Sequence, residues 1–255
     1  GSSKLLAYAG RDTIICKNEI FMLGGSPTAI GGTGAYSYSW SGGLAPMSNP
    51  SVQVINSFIY TLRVNSSICQ AFDTVVVTMK SLPAIQISST KSTLCVGDST
   101  QVVASISNSI SPVNYSWSNS RTTSSFWEAP TISVRHLLTV TNGDGCKDTA
   151  GINIQVNARP IANAGQDINR VNCPGDSVML GSVGLLNCNY LWSPNINLNS
   201  NNVSQPWAKP QSSTQYRLEV TDKNTGCQSW DTILVTVLQS TLRANKTVNN
   251  LKCYN

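Results

Sequence analysis

The chain has 255 residues, of which 11% are charged, and carries a net charge of +5. Its basic residues are scattered singly, without the stripe that nucleic-acid binding requires, and no apolar run approaches the ~18 residues of a membrane span. Twelve acidic residues, one histidine (His136) and eight cysteines offer no convergent nucleophile and base, no paired carboxylates and no Cys-x2-Cys or His cluster, so an enzyme is not expected.

Gly1-Ser2-Ser3 reads as the remnant of a tag or leader over residues 1–4, which predicts an internal fragment of something longer. After it, AYAGRDTIIC and EIFMLGGS read as short strands, and GGTGAYSYSW delivers Trp40 after a glycine-rich turn. IYTLRVNSSICQAFDTVVVTM, residues 59–79, follows as a hairpin whose apolar positions alternate with period two. Ser81-Leu82-Pro83 is a linker too short for free tumbling.

The same order then recurs. STLCVGDSTQVVASIS, NYSWSNS and RHLLTVTNGDGCKDTAGINIQV lead to a second linker, Asn157-Ala158-Arg159-Pro160. ANAGQDINRVNCPGDSVMLGS, NYLWSPNINLNS and TQYRLEVTDKNTGCQSWDTILVTV make a third copy. In its hairpin Tyr216, Leu218 and Val220 face Ile233, Val235 and Val237, with Asp, Asn and Gly between them for the turn. First cysteines (Cys16, Cys95, Cys173) are spaced by 79 and 78 residues, and second cysteines (Cys69, Cys146, Cys227) by 77 and 81. Tryptophans in a Y-x-W context (Trp40, Trp117, Trp192) are spaced by 77 and 75.

A hairpin cannot bury its apolar face alone, and no stretch has helical periodicity, so the expectation is all-β. Three tandem small antiparallel β-sandwiches over residues 5–80, 81–157 and 158–240 are followed by a tail, 241–255. Units of about 78 residues need a staple. One cysteine pair per copy supplies it and points to an oxidising, extracellular setting over zinc. The count predicts pairing within each copy: Cys16–Cys69, Cys95–Cys146 and Cys173–Cys227. In an immunoglobulin-like topology these partners can fall at opposite ends of a domain, and bridges between adjacent domains are then the alternative. Cys188 and Cys253 remain, predicting a strap that ties the tail to the third copy; the alternative makes Cys253 the first cysteine of a truncated fourth copy.

C-x-G-x-S-V-x-L (Cys173, Gly175, Ser177, Val178, Leu180), Y-x-W-S-P, T-x-Y-x-L-x-V-T and G-C-x-x-x-D-T-x-x-V resemble the Ig-like and PKD-like repeats of Bacteroidota. Those repeats are strung along large secreted and cell-surface proteins, including gliding-motility adhesins exported by the type IX route. The similarity covers residues 5–238. Cys16-Lys17-Asn18-Glu19 lacks the glycine, His136 replaces the Tyr60 and Tyr216 of the other copies, and Cys146-Lys147-Asp148 shortens the hairpin. The resemblance implies a non-catalytic, semi-rigid rod of sandwiches, secreted or at the cell surface. Its partners would be neighbouring domains of the same parent chain, surface glycans or other surface proteins.

Trp40, Trp117 and Trp192 read as core, and Tyr60, His136 and Tyr216 occupy a position like the tyrosine corner. Trp127 and Trp207, each beside prolines, are either packing residues or the stacking face of a carbohydrate-binding module. A third alternative has the modules escort a catalytic domain elsewhere in the parent. No cofactor is expected; calcium at Asp144, at Asp222 with Asn224, or at a junction through Asp12 and Asp167 lacks a second acid. Six of nine aspartates precede Ser or Thr and then a small apolar residue or Thr, resembling the Bacteroidota O-glycosylation sequence D-[ST]-[AILVMT]. The candidate hydroxyls are Thr13, Thr74, Ser99, Thr149, Ser177 and Thr232. Aspartate is also a good turn residue and Thr a good strand starter, so a repeat would copy the pair without a sugar.

Overall fold

A computed structural model describes residues 3–169 and 176–238. Cys173, Cys253, the whole 241–255 tail and the first two residues of the leader lie outside the described residues. The first copy contributes β1 (Leu6–Ala7), β2 (Thr13–Cys16), β3 (Ile20–Met22), β4 (Ala29–Ile30), β5 (Tyr36–Trp40), β6 (Ser51–Gln53), β7 (Phe58–Ser66) and β8 (Cys69–Lys80). The second contributes β9 (Ala84–Ser89), β10 (Thr93–Cys95), β11 (Thr100–Ser107), β12 (Asn114–Trp117), β13 (Ser125–Glu128), β14 (Val134–Thr141) and β15 (Lys147–Asn157). The third contributes β16 (Ile168–Asn169), β17 (Val178–Met179), β18 (Cys188–Ser193), β19 (Trp207–Ala208), β20 (Thr214–Asp222) and β21 (Gln228–Thr236).

The chain is all-β and built of sandwich-like domains. One sheet recurs in every copy: β2-β8-β7-β5, then β10-β15-β14-β12, then β16-β21-β20-β18. The facing strands are β3-β6 with β1-β4, then β13-β11-β9, then β17-β19. The hairpin stands at the centre of each main sheet, and the tryptophan strand pairs antiparallel with its first arm, as in Trp40↔Leu62, Trp117↔Leu138 and Trp192↔Leu218. The outer strand departs from the antiparallel expectation. β2 runs parallel to the end of β8 with Cys16 opposite Lys80, and β10 runs parallel to the end of β15 with Cys95 opposite Asn157. β16 lies parallel to β21 in the same way. A parallel edge strand arises because the chain enters along one sheet and crosses to the other before the hairpin forms.

Contacts group the chain into two compact units: Gly1–Thr90 with Gln101–Trp127 and Arg135–Ile152, and Lys91–Thr100 with Glu128–Val134 and Asn153–Asn255. The second copy contributes to both. In the first unit the hairpin residues Leu62, Val64, Val75 and Val77 are buried with Trp40, Leu23, Val52 and Val54. Beside them in that unit, Phe126 meets Trp117 edge-on at 5.1 Å and His136 at 5.5 Å. In the second unit Tyr216, Leu218, Val220, Ile233 and Val235 close over Trp192, Leu180 and Ala208.

Each buried indole has a polar N–H that needs a partner. The connection leaving the tryptophan strand supplies one: Trp40 donates to Met47 O at 3.0 Å, Trp117 to Thr123 O at 2.9 Å and Trp192 to Val203 O at 2.9 Å. The ring thus fills the core and pins the loop above it. Trp192→Phe removes that bond and part of the buried ring, and is expected to cost about 1–3 kcal/mol. Trp127, 58% exposed, replaced by Ala is expected to change stability by less than about 0.5 kcal/mol; urea unfolding followed by tryptophan fluorescence checks both.

Candidate functional site: the cysteine bridges between successive copies

A disulfide needs Cα atoms within about 7 Å. Cys16 sits opposite Lys80, the last residue of β8, whereas Cys69 is its first. About eleven steps of roughly 3.3 Å separate the two ends of that strand, about 36 Å in all. Cys95 stands beside Asn157 and Cys146 precedes Lys147, at opposite ends of β15. Pairing inside the first or the second copy is therefore geometrically closed.

The bridges run between copies instead. Cys16 bonds Cys146 and Cys95 bonds Cys227, each with a Cα separation of 5.6 Å. This corrects the expected Cys16–Cys69, Cys95–Cys146 and Cys173–Cys227 pairs and takes the alternative that the topology left open. Cys188 carries a free thiol, and its expected partner in the strap, Cys253, lies outside the described residues. Burial, and then the Asp222 carboxylate, push that thiol above its ordinary value, with Lys223 opposing; this keeps it a weak nucleophile.

Each bridge lies next to a linker. In the first unit, Asn142 at the β14–β15 turn is 3% exposed and organises the junction. Its Oδ1 accepts from the Cys146 and Asp144 N–H groups at 2.9 and 3.1 Å, and its Nδ2 donates to Ser81 O in the linker at 3.2 Å. Gly143 N–H donates to Ile110 O at 2.7 Å, and a Cβ on Gly143 would stand 2.4 Å from Ser111 O, so the close approach requires glycine. Lys80 faces Asp144 at 3.4 Å, and Lys17 N–H returns to Lys80 O at 2.9 Å.

The second junction lies within the second unit and uses different residues. Arg159 spreads its guanidinium over three acceptors: Val96 O at 2.7 Å, Gln228 O at 2.7 Å and Asp98 Oδ1 at 2.6 Å. It joins the strand end that carries Cys95 to the hairpin that carries Cys227. Asp98 also accepts from Cys95 N–H at 3.2 Å, and Ser229 Oγ donates to Pro160 O at 2.5 Å. Of these contacts the covalent one dominates. Closing 130 or 132 residues is worth about 5 kcal/mol in chain entropy, against about 1 kcal/mol or less for a partly exposed ion pair.

Three aspartates of the D-[ST] pattern, Asp12, Asp73 and Asp231, have a structural task, joined by Asp167. Asp73 Oδ2 accepts from Ala9 N–H at 2.7 Å while Asp12 Oδ1 accepts from Val76 N–H at 2.8 Å. Asp231 and Asp167 repeat the exchange with Ala164 and Leu234, both at 2.8 Å. The entry segments of the first and third copies are thus clasped to the last strand by two carboxylates, which is what AxAGxD encodes. Asp148 instead accepts from its neighbour Thr149 N–H. Of the candidate hydroxyls, Thr74, Ser99, Thr149 and Ser177 belong to exposed residues, and Thr13 and Thr232 to half-buried ones. Of the carboxylates named for calcium, those of Asp12, Asp167 and Asp222 accept from backbone N–H groups and that of Asp144 faces Lys80, and no group of three metal-ligating side chains gathers among the described residues.

Trp207 is 47% exposed, like Trp127 not a core residue. Trp230, 63% exposed beneath the Arg217 guanidinium at 5.1 Å, is a further surface ring that the repeat comparison passes over. Tyr216 is buried and its hydroxyl donates to Ile196 O at 3.1 Å, 20 residues earlier in the chain, while Tyr60 packs on Phe58 at 4.7 Å. No helix among the described residues is long and apolar enough to cross a membrane.

No family model and no curated protein matches the chain. Among solved structures it is similar to the N-terminal eight Ig domains of Down Syndrome Cell Adhesion Molecule, with a TM-score of 0.52 and 11% identity over 93% of this chain and 37% of that one. It is also similar to the three N-terminal domains of the Highly Immunogenic Outer Capsid protein of bacteriophage RB49 (TM-score 0.36, 12% identity, 89% and 96% covered). The insect immune protein hemolin gives a TM-score of 0.33 at 16% identity over 93% of this chain and 76% of that one. The chain spans 37% of the length of the first of these. At such identities the likeness concerns the fold alone, and the first carries it: the domains are Ig-like sandwiches.

The turn that presents Cys227 carries a hydrogen-bonded carboxyl, Asp222. The Thr225 N–H holds the Asp222 carboxyl below its ordinary value, against desolvation, with the Asn224 N–H and the Thr225 hydroxyl adding to it. A depressed carboxyl stabilises the fold above its unfolded value and loses that contribution as pH falls through the folded one. Asp222→Asn is therefore expected to be less stable than the parent at neutral pH, with the gap closing in acid; urea titrations at several pH values measure it, and a pH-independent gap contradicts it.

Proposed function

We propose that this chain is a non-catalytic segment of a larger extracellular protein of the adhesin or stalk type, built to carry tension from one sandwich domain to the next. The observation that carries this is the pair of bridges joining successive copies, Cys16–Cys146 and Cys95–Cys227. Disulfides persist in oxidising compartments, which supports a secreted or cell-surface location. The domains follow the copies 5–80, 81–157 and 158–240, and the neighbours in the parent chain are their first partners. The sequence resemblance to Bacteroidota repeats supports a gliding-motility type of adhesin exported by the type IX route. O-glycosylation at the exposed Thr74, Thr149, Ser99 and Ser177 fits the same setting.

The two bridges make a particular covalent graph. The Cys16–Cys146 and Cys95–Cys227 bonds are two nodes joined by three lengths of chain, 16–95, 95–146 and 146–227. A pull on the ends is borne by the shortest, 95–146. Even if every strand unfolded, only about 50 residues would extend between the nodes instead of about 210, a difference of roughly 550 Å at about 3.5 Å per residue. Single-molecule stretching of the oxidised and reduced chain is expected to differ by that length. Equal contour lengths would remove the proposal.

The exposure of Trp127 and Trp207 favours a second reading, an accessory module that stacks sugars on flat rings. Their replacement by Ala together leaves the core intact, so a glycan array compares folded proteins. Loss of signal only in the double variant supports this reading, and no signal in the parent ends it.

A further inference from the structure

The bridges follow one rule: the cysteine beside the last residue of a copy's final strand bonds the hairpin cysteine of the copy that follows. Cys16 reaches forward to Cys146 and Cys95 reaches forward to Cys227. The hairpin cysteine of the first copy, Cys69, opens β8 as Cys146 and Cys227 introduce β15 and β21, yet it is a free, exposed thiol. Its two counterparts are 1% and 0% exposed.

The tip around Cys69 is also built differently from a solvated turn. Ile68, immediately before the thiol, is 96% exposed, where the other two hairpins have Gly145 and Gly226. Phe72 on the same strand is 62% exposed. The turn itself is held in place: Ser66 is buried, and Ser67 Oγ donates to Thr33 O at 2.5 Å. A fixed turn that presents an isoleucine and a thiol to water resembles an uncovered interface more than a surface loop.

We propose that the Cys69 hairpin tip is the docking and cross-linking site for a further module of this kind, placed before Leu5 in the same polypeptide and offering the cysteine that Cys16 and Cys95 offer to the copies after them. The site rests on the tension-bearing reading and extends its bridge pattern by one step. The chemistry is thiol–disulfide exchange with a small disulfide or a disulfide oxidoreductase as oxidant. The Cys69 thiolate attacks the oxidant's disulfide and displaces one carrier thiol. The incoming module's thiolate then attacks Cys69 Sγ and displaces the second. Two protein thiols give up two protons and two electrons, and the oxidant leaves as two thiols.

The test is a tandem polypeptide in which residues 5–240 follow themselves directly, oxidised in a glutathione redox buffer and read by non-reducing peptide mapping. By sequence, Cys173 of the first half is the counterpart of Cys16 and Cys95, and it precedes Cys69 of the second half by a separation similar to the two known bridges. The expected result is a new Cys173–Cys69 cross-linked peptide and alkylation of one Cys69 per molecule, not two. Cys69→Ser in the second half is expected to abolish that peptide and leave the four internal bridges. Two alkylated Cys69 thiols, a Cys69 bearing glutathione alone, or one linked to Cys188 would overturn the inference while the internal bridges stand. Absence of the internal bridges would overturn the underlying pattern instead.

Discussion

A cysteine on an edge strand that runs parallel to the end of its sheet's last strand stands where the chain leaves the domain, and it can bond only what arrives there. What arrives is the hairpin tip of the next copy, brought within reach by a linker of three or four residues. In the first and second copies the long central strand keeps the two cysteines at opposite ends, so the covalent bonds are forced to be connections between copies. The core, the clasps and the turns all serve to hold those two ends in place. The buried hairpin face fixes the strand register, the register sets Cys16 against Lys80 and Cys95 against Asn157, and the register therefore sets the bridges.

Much of this architecture was legible in the residues. Period-two alternation identified the hairpins, and every apolar position it named in the third copy is buried. The Y-x-W tryptophans are core in all three copies. The cysteine pairing is not legible from spacing, because a constant separation of fifty-odd residues describes two neighbours and two ends of a rigid sheet equally well. Deciding between these needed the direction of the edge strand, and a short segment such as TIIC carries no signal for parallel or antiparallel pairing. Trp127 and Trp207 were ambiguous for a related reason, since a two- to four-residue strand shows too little alternation to tell inside from outside.

The contacts that sequence reading missed are those in which local chemistry is ordinary and the partner is distant. Asn142 looks like any turn asparagine, and nothing near it announces Ser81. Arg159 looks like a charged linker residue, yet it closes over three acceptors, two of them some sixty residues earlier in the chain. The clasp of Asp12 and Asp73, repeated by Asp167 and Asp231, was visible as a recurring motif whose purpose was not. Its repetition in the first and third copies, which share AxAGxD, and its absence from the second, which lacks that motif, tie the residues to the task.

The covalent graph has a consequence for what a protease can do to the chain. Because three lengths of chain connect the two sulfur nodes, a protease that cuts one peptide bond anywhere between residues 17 and 226 does not divide the molecule. Cleavage of the Ser81-Leu82-Pro83 linker leaves both neighbours attached through the Cys16–Cys146 bond, and even a second cut in a different length leaves one continuous path. Only severing all three releases the ends from one another. An unbridged string of domains would be lost at its first clipped linker, whereas this chain stays whole through nicks in two of its three connections.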